Sequence, residues 1–145
     1  MSTNRWQGRM VWLMMVLLLG VYLQVTYWYL WPYKVIEVAD IPVSYTNPHG
    51  QVEAGGVVNL KIRGEKFWHG GAQISRQLVN DCVVNIYSGF SDLPPGEFNH
   101  LVPVEIPAWV PPGKYRLRTT YRYEVNPIRS ITYAYDSQVF EVVKP

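Results

Sequence analysis

Cysteine is nearly absent from the 145-residue chain: Cys82 stands alone, which excludes an internal disulfide framework and any zinc site built on several thiolates. Charge is scarce too. Only 17% of residues are charged, below the usual quarter, while 48% are hydrophobic. That apolar content excludes a disordered acidic or basic tail. No G-x-S-x-G elbow, no H-E-x-x-H pair and no phosphate-cradling glycine loop occurs. No stretch after Pro32 keeps a helical period, and no internal repeat or low-complexity segment is found. The length allows one ordinary domain and little else.

What the chain has in excess is one long apolar run. Met10 to Trp31 carries no formal charge over 22 residues, and Gln24 and Thr26 are its clearly polar side chains. At about 1.5 Å per residue a helix of this length matches the ~30 Å hydrocarbon core of a bilayer. Trp6 and Trp12 lie near one end, and Tyr27, Trp28, Tyr29, Trp31 and Tyr33 crowd the other. Amphipathic rings settle at those depths, in the headgroup layers. Pro32 then stops the helix. The run exceeds the 7–15 residues of a cleavable signal, and bulky aromatics replace the small residues a cleavage site needs. The reading is an uncleaved transmembrane signal-anchor, with the lipid bilayer as its first partner. A helix buried in a large assembly such as a virion is the alternative.

Arg5 and Arg9 precede the run, whereas Lys34 follows it with Glu37 and Asp40 close behind. The positive-inside rule predicts a cytoplasmic tail at 1–9, a membrane helix at 10–31 and an extracytoplasmic domain at 32–145, anchored in the inner membrane. Arg5 and Arg9 account for the whole formal charge of +2, so the outer domain is neutral. An electrostatic grip on nucleic acid is not expected. The Trp31–Lys34 junction is too short for a flexible linker, which predicts a domain close to the membrane.

Beyond Pro32 the pattern turns to period two. Strands are predicted at Val35–Asp40, Val57–Arg63, Ala72–Val79, Cys82–Phe90, Leu101–Ile106, Lys114–Glu124, Ile128–Tyr135 and Gln138–Val143. In the clearest, Tyr115, Leu117, Thr119, Tyr121 and Tyr123 oppose Arg116, Arg118, Thr120 and Arg122. Breakers divide them: Asn47–Gly50, Gly55-Gly56, Gly70-Gly71, Pro94-Pro95-Gly96, Pro111-Pro112-Gly113 and Asn126-Pro127. Seven or eight short strands in about 110 residues predict an antiparallel β-sandwich.

The segment Pro111-Pro112-Gly113-Lys114-Tyr115-Arg116-Leu117 resembles the turn-and-strand entry late in immunoglobulin-like and fibronectin type III-like domains. The resemblance implies an immunoglobulin-like sandwich in which Gly113 and Tyr115 form the fold corner, the tyrosine bonding back to the backbone. Val104–Val143, with VEIPAWVPPGKYRLRTTYRYEVNPIRSITY and a closing VFEVV, is similar to small single-pass proteins, often phage-encoded, that carry such a domain outside the membrane. The similarity covers the last third of the chain plus the anchor. The paired cysteines of antibody domains are absent, which removes the disulfide-pinned subtype. The lack of an N-x-S/T sequon is compatible with a bacterial or phage setting.

Candidate chemistry is thin. Cys82 is expected to be a buried strand residue beside Val84 and Ile86, with an intermolecular disulfide as the minor alternative. A blue-copper site fails, because no histidine follows Cys82 until His100 and no methionine occurs after Met15. His49, His69 and His100 are expected in separate loops, without a shared metal. His69-Gly70-Gly71 reads as a turn, since no serine elbow accompanies it. Asp92 and Glu97 flank a proline turn and are expected to be solvated rather than an acid–base pair. No catalytic residue, metal, cofactor or small-molecule substrate is predicted, so an enzyme is not expected.

Two features suggest binding. Lys114, Arg116, Arg118 and Arg122 share a strand face and would meet headgroups or an acidic partner, unless acidic neighbours neutralise them. Trp68 and Trp109 sit in loops and are the candidate exposed anchors, with corner packing favoured for Trp109. The function these residues suggest is a non-enzymatic, membrane-anchored protein-interaction module. Its partner would be a protein in or near the membrane, or a second copy. Such a module would be an accessory subunit of a membrane complex or a phage protein at the bacterial envelope; the alternative is a structural virion component.

Overall fold

The computed structural model of the chain describes residues 3–40, 43–44 and 49–144, in two compact units. The first unit comprises Met1–Tyr33 together with Asn126–Arg129. Its helix, α1 (Thr3–Leu30), begins earlier than the apolar run, so most of the segment read as a tail is helical. Trp6–Leu30 contains an 18-residue stretch with a mean hydropathy of 1.9 and is long and apolar enough to cross a membrane. Its last amide bond runs from Trp31 N to Tyr27 O, and Pro32 ends the ladder. The carbonyls left over at the C-terminal end find donors within the same unit. Asn126 Nδ2 donates to Trp28 O at 3.0 Å, and Arg129 donates to Tyr29 O and Trp31 O at 2.8 Å each. A guanidinium is well placed there, against the negative end of the helix dipole.

The second unit, Lys34–Val125 with Ser130–Pro145, is all β. Its ten strands, among the described residues, are β1 (Ile36–Asp40), β2 (Val43–Ser44), β3 (Gln51–Glu53), β4 (Val57–Lys66), β5 (Ala72–Val79), β6 (Val83–Ser91), β7 (Gly96–Glu105), β8 (Gly113–Asn126), β9 (Arg129–Asp136) and β10 (Phe140–Val143). All eight predicted strands are present. The two additions, β2 and β3, are only two and three residues long and exist through pairing with distant strands. The Asn47-Pro48 part of the predicted first turn lies outside the described residues.

One sheet is built on β4. Strand β7 follows it antiparallel from Val57↔Glu105 to Lys66↔Gly96, so β1 and β2 share the opposite edge. Gly64 is required where β1 bulges against β4: a Cβ there would lie 2.3 Å from the Glu37 carbonyl oxygen. Gly96, at φ 127°, turns the chain out of Pro94-Pro95 and lets β7 start five residues before its predicted position. The other sheet runs β3-β10-β8-β5-β6, with β9 also paired to β8. All its pairings that carry a register are antiparallel except β3 with β10, which is parallel and makes the sheet mixed rather than purely antiparallel as predicted.

The core lies between the sheets. Val58, Leu60 and Ile62 of β4 and Val104 of β7 meet Leu78 of β5, Tyr115 and Leu117 of β8, and Phe140 and Val142 of β10. The alternation predicted for β8 holds through Tyr123: its odd-numbered residues are buried and the arginines point out or lie half-exposed. Leu117 N donates to Ser137 Oγ, so this buried serine is hydrogen-bonded where β9 gives way to β10.

Candidate functional site

Trp6, Trp12, Tyr27, Tyr29 and Trp31 are exposed, Trp28 is half-buried and Arg9 is exposed; the Arg5 side chain lies outside the described residues. Tyr27 and Trp31 pack ring on ring at 5.0 Å, one helical turn apart.

The arginine stripe on β8 is partly neutralised. Arg118 forms a two-pronged ion pair with Asp136 of β9, at 2.7 and 2.9 Å. The pair holds the Asp136 carboxyl below its ordinary pKa, through the hydrogen bond from Arg118 first, and raises the guanidinium's. Lys114 stands opposite Glu141 in the β8–β10 register. Arg116 and Arg122 remain exposed. Of the four cations on this face, Arg118 is the one held in an ion pair among the described residues, and Arg116 also acts on Asp136 through its charge.

The two loop tryptophans separate. Trp109 is 67% exposed, against the expectation of corner packing, while Tyr115 is buried at the corner. Tyr115 Oη donates to Pro111 O at 2.9 Å, closing the loop on itself, and Gly113 lies over the tyrosine ring. Trp68 is half-buried, folded against the Gly70 backbone.

Cys82 departs from expectation. It is exposed and precedes the strand, which starts at Val83. The side chain of Asn80 accepts the Cys82 amide at 2.8 Å, and Asn80 N donates to the Cys82 carbonyl; this closes a turn that keeps the thiol out of the core. His100 is also misplaced by the sequence reading. It lies on β7, its ring stacked at 6.1 Å on Phe98, whereas His49 and His69 are exposed outside the strands. Among the described residues no three His, Cys, Asp or Glu side chains gather closely enough to hold a metal. Asp92 and Glu97 lie on either side of the turn into β7, and Glu97 faces Glu65 in the β4–β7 register.

Among the described residues strand β6 is the edge of its sheet, paired to β5 alone. Its nine residues, VVNIYSGFS, contain no charge and no proline. Val83, Tyr87 and Phe90 are exposed along it. Edge strands are ordinarily blunted by lysine, proline or a strong bulge. Of these devices β6 has a bulge: Arg76 and Gln77, adjacent on β5, face Tyr87 and Asn85, so Ile86 is an extra residue on β6 itself. Phe90 covers Gly71 and Tyr87 covers Gly89, since a Cβ at either glycine would overlap the ring.

Two buried cations escaped the sequence reading: Lys66, 3% exposed at the end of β4, and Arg76, 7% exposed in the middle of β5. The signal was parity. Lys66 continues the inward series Val58, Leu60, Ile62, and Arg76 falls between Ile74 and Leu78. Lys66 Nζ donates to the Leu93 carbonyl; burial pulls its pKa below the ordinary lysine value, opposed by the charge of Asp92. Arg76 lies with its guanidinium carbon 4.8 Å from the Tyr87 ring centroid. Burial likewise raises the phenols of Tyr121, Tyr123 and Tyr135, which cluster on β8 and β9.

Compared with known proteins, the chain matches no protein-family model, and a search of curated proteins returns no match.

Proposed function

We propose that this chain is a non-enzymatic, membrane-anchored interaction module that offers the β6 edge to an extended segment of a partner protein. The observation that carries the reading is that edge: nine residues without charge or proline, with Val83, Tyr87 and Phe90 exposed. An added strand would complete the sheet's backbone hydrogen bonds, and the exposed rings would supply contact area. The domain itself reads as immunoglobulin-like, closest in plan to the fibronectin type III arrangement. Three main strands (β1, β4, β7) form one sheet, and β6, β5, β8 and the β9–β10 return form the other. The Tyr115-to-Pro111 bond supports the same assignment, since it is the corner such domains carry. In this reading α1 is inserted in the inner membrane with Arg5 and Arg9 on the cytoplasmic side. Anchoring confines the encounter to the membrane plane and raises the effective concentration of partner and domain. The setting is a membrane complex in which the chain is an accessory subunit, or a phage protein acting at the host envelope.

The test is site-specific photocrosslinking of the full chain in producing cells, with the photoreactive residue at Phe90 and, as a control, at Arg122 on the β8 face. A discrete adduct from position 90, absent from position 122 and lost on Ser88→Lys, is expected. An adduct that persists in Ser88→Lys, or equal labelling from both positions, would refute edge docking. Adducts made only of this chain would replace the hetero-partner by an oligomer and bring the virion reading forward.

A further inference from the structure

Lys66 and Arg76 are buried between the sheets, yet the ion pairs among the described residues are Lys34–Glu37 and Arg118–Asp136, and neither buried cation takes part. Lys66 has a backbone carbonyl for its ammonium. Arg76 is worse served: it rests on the Tyr87 ring, and its Nε finds no hydrogen-bond partner. Directly across the β5–β8 register stands Thr119, fully buried, whose Oγ1 is likewise unpartnered. An unmatched buried donor costs free energy, and a bound acceptor is one of the ways in which that cost is met.

Arg76 also lines a cavity. A cleft of about 330 Å³, open to solvent on the side of His100 and Leu101, lies between β5, β6 and β8 on one side and β4 and β7 on the other. Ile62, Ile74, Phe98, Leu101 and Val102 make apolar walls; Ser91, His100 and Tyr121 add polar atoms, and no acidic side chain is among the lining residues. A cavity of this size falls at the lower end of those that hold small organic ligands. A metal ion is excluded by the sign of the charge and by the missing carboxylates. A fully polar anion such as phosphate would leave most of the wall unsatisfied. What matches an apolar chamber with a single guanidinium is an amphipathic monoanion, because a guanidinium edge recognises a carboxylate by paired donors.

We propose that this inter-sheet pocket binds a small carboxylate with a compact aliphatic or aromatic body, the carboxylate held by Arg76 and the body packed against Ile62, Ile74 and Phe98. The ligand supplies the anion that the fold omits. The site borders β6, which contributes Ser91 and the Tyr87 ring under Arg76, but its readout differs from that of strand docking: binding of a small molecule rather than crosslinking to a protein.

The experiment uses the full chain in lipid nanodiscs and isothermal titration with two probes, 4-phenylbutyrate and its neutral counterpart 4-phenylbutan-1-ol, each corrected against empty nanodiscs. The acid is expected to bind with a Kd at or below about 1 mM, and the alcohol at least about tenfold more weakly. The acid should raise the melting temperature of the β domain in proportion to its occupancy. Arg76→Met keeps the length and apolar stem of the side chain and removes the charge; it should abolish the preference for the acid. Arg76→Lys should retain part of it. Failure of the acid to bind the wild-type protein, equal affinity for acid and alcohol, or unchanged acid affinity in a folded Arg76→Met would each overturn the proposal. Should Arg76→Met fail to fold, the acid-against-alcohol comparison on the wild-type protein decides alone.

Discussion

Tyr115→Phe isolates the corner of the β domain, because it removes one hydroxyl and leaves the ring in place. The ring is 4% exposed and belongs to the main core, so its burial is untouched. What disappears is the 2.9 Å bond to the Pro111 carbonyl. A hydrogen bond of this kind contributes about 1 kcal/mol net. Pro111 is itself exposed, so water can replace the lost donor and no further desolvation cost is added. For a domain of about 110 residues, 1 kcal/mol moves the midpoint by roughly 4–8 °C. Thermal unfolding of the full chain in detergent, followed by near-ultraviolet circular dichroism, should therefore show a drop near the lower end of that range. Tyr115→Ala, which also empties the ring's site, should cost several times more, on the order of 3–5 kcal/mol. An unchanged midpoint for Tyr115→Phe would mean that the corner bond does not hold the loop in solution. A loss as large as that of Tyr115→Ala would mean that the hydroxyl, not the ring, organises the corner. Either result refutes the reasoning.

Two further perturbations have opposite signs. Thr119→Val keeps a β-branched shape at a fully buried position while deleting an Oγ1 that has no partner; it should raise stability by about 1–2 kcal/mol, seen as a higher urea midpoint at constant m-value, and a lower midpoint would show that the hydroxyl is satisfied after all. Arg118→Gln removes the partner that holds the Asp136 carboxyl below its ordinary pKa. A depressed carboxylate contributes stability above its unfolded pKa, near 3.9, and loses it as pH falls through the lower folded value. The wild-type advantage over Arg118→Gln should accordingly be full at pH 7, shrink below about pH 4 and weaken in high salt, the pair being half-exposed. An advantage that grows on acidification would reverse the assignment.

Much of the fold was legible because local chemistry and tertiary packing agree. In β8 the odd residues from Tyr115 to Tyr123 are apolar or aromatic and all lie inside, so alternation alone places the core face. Pro32 ends the helix where its missing amide requires it. What was not legible depends on partners far along the chain. Gln51–Glu53 carries no recognisable alternation and is a strand because β10, some ninety residues later, lies parallel to it. Cys82 was misread because it stands next to a β-rich run, while the side chain of Asn80 claims its amide for a turn. The exposed position of Trp109 was not legible either, since a tryptophan in a loop carries no alternation that would give its side.

The candidate pocket was legible in a different sense. Lys66 and Arg76 each interrupt an inward apolar series, and a strand read only for its hydrophobic period treats such a residue as noise or as the strand's end; the predicted strand stopped at Arg63, three residues short of Lys66. The physical weight runs the other way. A cation placed in the inward phase is costly to bury unless something answers it, so its persistence there marks either an internal partner or an external one. For Lys66 the answer is the Leu93 carbonyl. For Arg76 the described residues hold no acceptor at Nε, and a cavity opens beside it. Breaks in an otherwise consistent pattern are where function is expected to sit, and here the break and the unmet donor fall on one residue. The outer-face arginines drew notice because they repeat; the arginine that repeats nothing carries the sharper inference.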